Sequence, residues 1–140
     1  RNRKLFDFGF SEPSRVSVKD GDRTVTVAKQ DEKWMRDGKQ MDGATVQGVI
    51  DKLRDLSAAG FASGTLPAPV IEASVTYDEG KKTEKVLRAR SGTKWLARRD
   101  GESALYEVES VSVEALRTSI QEVKEPEPPK PEAKPETKAP

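Results

Sequence analysis

Histidine and cysteine are both absent from this 140-residue chain, and several chemistries go with them. Without cysteine there is no disulfide, no thiolate nucleophile and no Cys-ligated metal. Without histidine there is no Ser-His-Asp triad, Cys-His pair or His-rich zinc site. No apolar run approaches the ~18 residues that cross a bilayer as a helix. Net charge is scarce too: 25 Lys and Arg against 24 Asp and Glu leave +1, so no global field points to nucleic acid or a membrane surface. Neither G-x-x-x-x-G-K-[ST] nor G-x-G-x-x-G occurs, which removes the familiar phosphate-cradling loops. The sequence carries no catalytic signature, and no cofactor or metal is expected. The first residues are Arg-Asn-Arg-Lys rather than Met, so a fragment or processed product is expected, with any leader or anchor lying upstream.

Composition divides the chain at residue 124. The stretch KEPEPPKPEAKPETKAP holds six of the nine prolines, four Lys and four Glu, and no aromatic or branched apolar residue. It cannot bury enough surface to offset its ordering entropy, so residues 124–140 are expected to form a disordered, partly polyproline II tail. Residues 1–123 are a normal length for one domain with one core.

Within that domain the pattern switches from period two to period 3.6 and then does so again. Phe6, Phe8 and Phe10 alternate and suggest a first strand, broken by Pro13. Val16-Ser17-Val18 and Val25-Thr26-Val27 alternate on either side of Asp20-Gly21-Asp22, a strong hairpin signal. A turn at Gln30-Asp31-Glu32 leads into the Lys33-Trp34-Met35-Arg36 strand. Val46, Val49, Ile50, Leu53 and Leu56 then form one helical stripe, with Asp42 or Thr45 as the expected cap and Gly60 as the expected stop. Phe61–Pro69 reads as a linker. After it, Val70–Tyr77, Glu84–Arg90, Lys94–Arg98 and Ala104–Val108 read as strands. Ser112 is expected to cap a second helix with Val113, Leu116, Ile120 and Val123 on its stripe.

The helices match at an offset of 67 residues: Val46 with Val113, Val49 with Leu116, Leu53 with Ile120, Leu56 with Val123. The tryptophans are offset by 61. The difference of six is expected to be an added strand, Ala104 to Glu109. The reading is therefore an α+β domain built by tandem duplication of an antiparallel meander plus one helix, with repeats of about 4–60 and 70–123. Both helices pack on sheet, since neither unit can bury its apolar face alone. Whether the halves share one sheet stays open at this point.

Candidate contacts follow from the same elements. Lys81 to Arg99 holds eight basic residues against Glu84 alone. Interleaved with Trp95, it could track an anionic polymer. The acids downstream favour cross-strand neutralisation instead, with Arg98 or Arg90 expected opposite Glu107 or Glu109. Asp20/Asp22 and Asp100/Glu102 each straddle a glycine in a turn, where Asp and Gly serve the backbone. Trp34 and Trp95 are expected to be packing residues first. The candidate partner or ligand contacts are Trp34, Arg36, Trp95, Arg88, Arg90 and Arg98.

The order of these features resembles bacterial proteins grouped as domain of unknown function 4340. The likeness is carried by Leu5-Phe-Asp-Phe leading into a Val-rich hairpin, by Lys33-Trp34, and by the Asp42…Val46…Val49-Ile50…Leu53…Leu56 helix. It is carried also by Lys94-Trp95-Leu96-Ala97-Arg98…Gly101…Leu105-Tyr106-Glu107-Val108, where the family more commonly has Tyr-Ala-Arg. The resemblance implies no catalytic residue. It implies an anchored module outside the cytoplasmic membrane, often encoded beside an ABC-type export system. The expectation is a non-enzymatic interaction or scaffold domain of the bacterial cell envelope with protein partners, transporter subunits among them. The alternative is a nucleic-acid or anionic-polymer binder using residues 81–99.

Overall fold

The computed structural model describes residues 3–128. Each half begins with alternating strands and ends in a helix, and the two halves meet in one antiparallel sheet. The first half supplies β1 (Arg15–Asp20), β2 (Arg23–Gln30), β3 (Lys33–Arg36), β4 (Lys39–Gln40) and α1 (Gly43–Arg54). A short β5 (Gly60–Ala62) follows. The second half supplies β6 (Ile71–Tyr77), β7 (Lys82–Ser91), β8 (Lys94–Arg99), β9 (Leu105–Val108) and α2 (Ser110–Gln121). The strand order is β4-β3-β2-β1-β6-β7-β8-β9-β5. The two meanders thus run outward from a central β1–β6 pair.

Period-two alternation sends one set of side chains to each face. The face carrying Val16, Val18, Val25, Val27, Ile71, Ala73, Val75 and Val86 is buried. Against it lie the helix stripes Val46, Val49, Ile50 and Leu53 and Val113, Leu116 and Ile120. The helices pack against each other side by side. The start of α1 meets the end of α2, where the Asp42 N–H donates to the Lys124 carbonyl at 2.7 Å.

The two faces of the sheet differ along its width. Around β1, β2 and β6 the outer face is polar, with Ser17 and Thr26 hydrogen-bonded at 2.9 Å and Thr76 and Thr83 at 3.0 Å. Around β7–β9 it is apolar, and Leu87, Ala89, Leu96 and Leu105 are buried there. The 63–70 segment must cross this side to join edge strand β5 to central strand β6, and Leu66 lies beside Leu105 and Arg98.

Several expectations need correction. Phe6, Phe8 and Phe10 do not form a strand. Leu5, Phe6 and Phe8 are buried in irregular backbone, while Phe10 is 90% exposed. Two arginines hold this segment through its carbonyls: Arg99 donates to Leu5 O at 3.0 Å and to Lys4 O at 2.6 Å, and Arg54 donates to Gly9 O at 2.6 Å. Gly60 does not stop α1; Asp55 ends it in right-handed conformation, and Gly60 begins β5. Neither Thr45 nor Ser112 is a helix cap. Each lies inside the first turn and donates its hydroxyl back to the residue before the helix, Thr45 to Asp42 O and Ser112 to Glu109 O, both at 2.7 Å.

The six extra residues of the second half are not an added strand. Met41 N–H donates to Trp34 O at 2.7 Å, continuing the β3–β4 ladder, just as Val108 stands opposite Trp95. β4 therefore occupies the place of β9, and the extra residues lengthen the β8–β9 hairpin. The two halves thus share one topology within a single sheet. The tail begins later than composition suggested, since Lys124 is tied to Asp42 and Thr45 and Lys39 pairs with Glu125 at 3.8 Å. The rest of the expected tail, residues 129–140, lies outside the described residues.

Candidate functional site

The β7–β8 hairpin brings together three of the six candidate residues, Arg88, Arg90 and Trp95, on its core face. Arg90 stands directly opposite Trp95 across the ladder, with its guanidinium carbon 5.5 Å from the ring centroid. Arg117, projecting from α2, places its own guanidinium 5.3 Å from the same ring. Two cations on one indole are a favourable arrangement for the ring quadrupole. Together with Val108 and the helix they leave Trp95 only 4% exposed.

Arg117 was not among the sequence candidates, yet it organises the cluster. Its Nε and Nη2 donate to the two Asp20 oxygens at 2.9 and 3.3 Å. This bidentate, charge-assisted pair spans 97 residues and ties α2 to the end of β1. Hydrogen bonding to Asp20 raises the Arg117 pKa despite partial burial.

Arg88 is the anomaly. It shares the core face with Val86, between Ile71 on β6 and Ala97 on β8, and it is 1% exposed. None of its three guanidinium nitrogens has a hydrogen-bond partner among the described residues. Burial pulls its pKa down to about 10, so the group is still a cation at neutral pH. An unpaired charge in an apolar core costs several kcal/mol even after relaxation.

The other three candidates stand apart. Trp34 is also buried, at 8%, with Lys29 opposite it and 5.4 Å from its ring centroid. Arg36 ends β3, opposite Lys39, with four strands between it and β8 in the sheet order. Arg98 points to the outer face and donates to Glu102 O at 3.1 Å. The six residues do not line a common groove.

The expected pairing of Arg98 or Arg90 with Glu107 or Glu109 is not what neutralises the basic stretch. Lys94 meets Glu107 at 3.7 Å, Lys85 meets Glu72 at 3.3 Å and Arg99 meets Glu102 at 3.4 Å. The register explains the exchange: Leu96 stands opposite Glu107 and Trp95 opposite Val108, so the Lys94 stem reaches Glu107 diagonally while Arg90 turns to the indole. Strand period also divides the stretch. Lys85, Lys94 and Arg98 share the outer face, whereas Arg88, Arg90 and Arg99 share the core face.

Two further features were missed by sequence reasoning. Phe61, assigned to a linker, is a β5 residue 78% exposed and lies 5.4 Å from Tyr106, ring centre to ring centre. With Arg3, Lys4 and Arg99 it borders a cleft of about 390 Å³. Elsewhere, the Tyr77 hydroxyl donates to Glu84 at 2.6 Å, and the Asp7 N–H donates to the other Glu84 oxygen at 2.7 Å. That hydrogen bond to Glu84, with burial adding to it, pushes the Tyr77 pKa up to about 12. Among the described residues, no group of three or more acidic side chains is placed to hold a metal ion.

No protein-family model, curated protein or solved structure matches the chain.

Proposed function

We propose that this chain is a non-enzymatic interaction or scaffold domain. The observation that carries the reading is the use made of its polar groups. The Arg117–Asp20, Arg99–carbonyl, Arg54–carbonyl and Asp7–Glu84 contacts all join distant parts of the chain. Tyr77, pushed up to about 12, and Arg117, also raised, move away from the range a general acid or base needs, and Arg88, though lowered by burial, stays near 10 and so a cation at neutral pH. A catalytic group is tuned toward working pH instead. Exposed Phe61 on an edge strand offers a partner-facing apolar residue.

We place the domain in the bacterial cell envelope, accessory to an ABC-type transport assembly; this part rests on the resemblance of the Lys-Trp modules alone. Fractionation of the full-length protein in its native host tests it. An envelope-associated product, cross-linked to a transporter subunit through a photoreactive residue at Phe61, is the expected result. A freely cytosolic protein with no such adduct contradicts it.

The alternative is an anionic-polymer binder using residues 81–99. One observation favours it, the exposed Arg90 guanidinium beside Trp95. Base stacking needs an open ring face, and Trp95 has none. Titration of single-stranded DNA at low salt is expected to give no binding; salt-dependent binding lost in Arg90→Ala would reverse the order of the two readings.

A further inference from the structure

We propose that α2 is a lid over the second half of the sheet, latched by Arg117 and Asp20 and biased toward opening by Arg88 beneath it. The placement follows from register. Asp20, Ile71, Arg88 and Ala97 form one row across β1, β6, β7 and β8. Arg117 reaches from α2 to Asp20 on β1 and to the Trp95 ring on β8. Its arm therefore straddles β6 and β7, the strands of Ile71 and Arg88. Among the described residues, the Arg117–Asp20 pair is the hydrogen-bonded ion pair between α2 and the sheet, and the Arg117 contact with the Trp95 ring and apolar packing make up the rest.

Arg88 supplies the opposing force. In the closed state its five N–H donors have no acceptor among the described residues. Lifting α2 lets water reach them and recovers hydration that the closed state forgoes. The same movement costs the burial of Val113, Leu116 and Ile120, so the closed form remains the ground state. The first half has no such bias, because Val27 stands where the second half has Arg88, at the same offset of 61 that relates the two tryptophans. Sub-global opening of one element at a free energy below global unfolding is the expected consequence.

Hydrogen exchange of the full chain, read residue by residue with Arg88→Met, Arg88→Lys and Arg117→Ala beside the native protein, tests the lid. In the native protein the α2 amides exchange at least roughly ten-fold faster than those of β1 and β6, by an opening insensitive to low denaturant. Arg88→Met removes that gap. Arg88→Lys, which keeps a buried cation, preserves it. Arg117→Ala widens it by speeding α2 without matching acceleration in β1. Equal exchange of α2 and the central strands in the native protein overturns the proposal. So does an unchanged gap in Arg88→Met, or a gap that closes equally in Arg88→Lys.

Discussion

The two halves of the sheet place the same kinds of residue at corresponding positions, with one exchange that matters most. On β2 the core face reads Val25, Val27, Lys29; on β7 it reads Val86, Arg88, Arg90. Lys29 and Arg90 each stand opposite a buried tryptophan at similar distances, 5.4 and 5.5 Å. At the rim, then, lysine and arginine do the same work. One step inward, a buried valine and a buried arginine face opposite energetics. Val27 gains by leaving water, whereas Arg88 loses its hydration and meets no acceptor among the described residues. The difference teaches that a shared fold tolerates a buried cation in one half because the apolar contacts around it supply the surplus, not because the cation is satisfied.

The comparison can be broken most severely by copying the anomaly into the first half. Val27→Arg puts a second unpartnered cation in the core, and a loss of roughly 3 kcal/mol or more is expected in urea denaturation. A loss within the range of ordinary surface changes would show that this face accommodates guanidinium generally. Next comes the latch. Asp20→Asn leaves Arg117 without its carboxylate and is expected to cost roughly 1–2 kcal/mol, discounted for the 28% and 18% exposure of the two side chains. Thermal melts of Arg117→Ala should show a larger loss, since that change also removes the guanidinium from the Trp95 ring and from Glu114.

A smaller contrast lies in the β2–β3 and β7–β8 turns. The first uses Asp31 and Glu32 at φ of 53° and 65°, while the second begins with Gly92 at φ of 63°. Glu32 thus holds a left-handed conformation that favours glycine. Glu32→Gly is expected to stabilise by roughly 0.4–1 kcal/mol, the relief of strain outweighing the added chain entropy. A destabilised Glu32→Gly would mean the side chain contributes more than its strain.

The smallest effect is confined to alkaline pH. Tyr77 is pushed up to about 12 by its bond to Glu84, so the folded protein holds that proton where the unfolded chain has released it. Its contribution is full below pH ~10 and falls away as pH rises from about 10 toward about 12. Arg88, lowered by burial, acts in the opposite sense over an overlapping window. Tyr77→Phe isolates the first: the difference in stability between native and variant should shrink across that window, and the phenolate absorbance rise near pH 12 should disappear. A difference that stays constant with pH would contradict the assignment.

Much of this architecture is legible in the sequence, for physical reasons that also explain the gaps. The Val-Ser-Val and Val-Thr-Val runs around Asp20-Gly21 declare their own hairpin, and the two apolar stripes declare their helices. β4 and β5 do not declare themselves, being two and three residues long and set by their neighbours β3 and β9. The Phe6–Phe8–Phe10 alternation misleads because Arg99 and Arg54, both remote in sequence, satisfy the carbonyls that a strand partner would otherwise take. Within the candidate site, the Arg90–Trp95 pairing follows from hairpin register, but Arg117 does not, since its partner Asp20 is 97 residues away. The burial of Arg88 was readable in principle. Period two puts it on the face of Val86, and the tryptophan offset puts it on Val27.

The central claim is that Arg88 is a cost the second half carries and the first half does not. One substitution made in both halves tests it most directly: Arg88→Met and Val27→Met, each followed by urea denaturation to its midpoint. Opposite signs are expected, with Arg88→Met raising the midpoint as a buried charge gives way to an apolar side chain of similar length, and Val27→Met lowering it or leaving it unchanged. A midpoint lowered in Arg88→Met as well would mean that Arg88 is satisfied in the native state and is no cost to the second half.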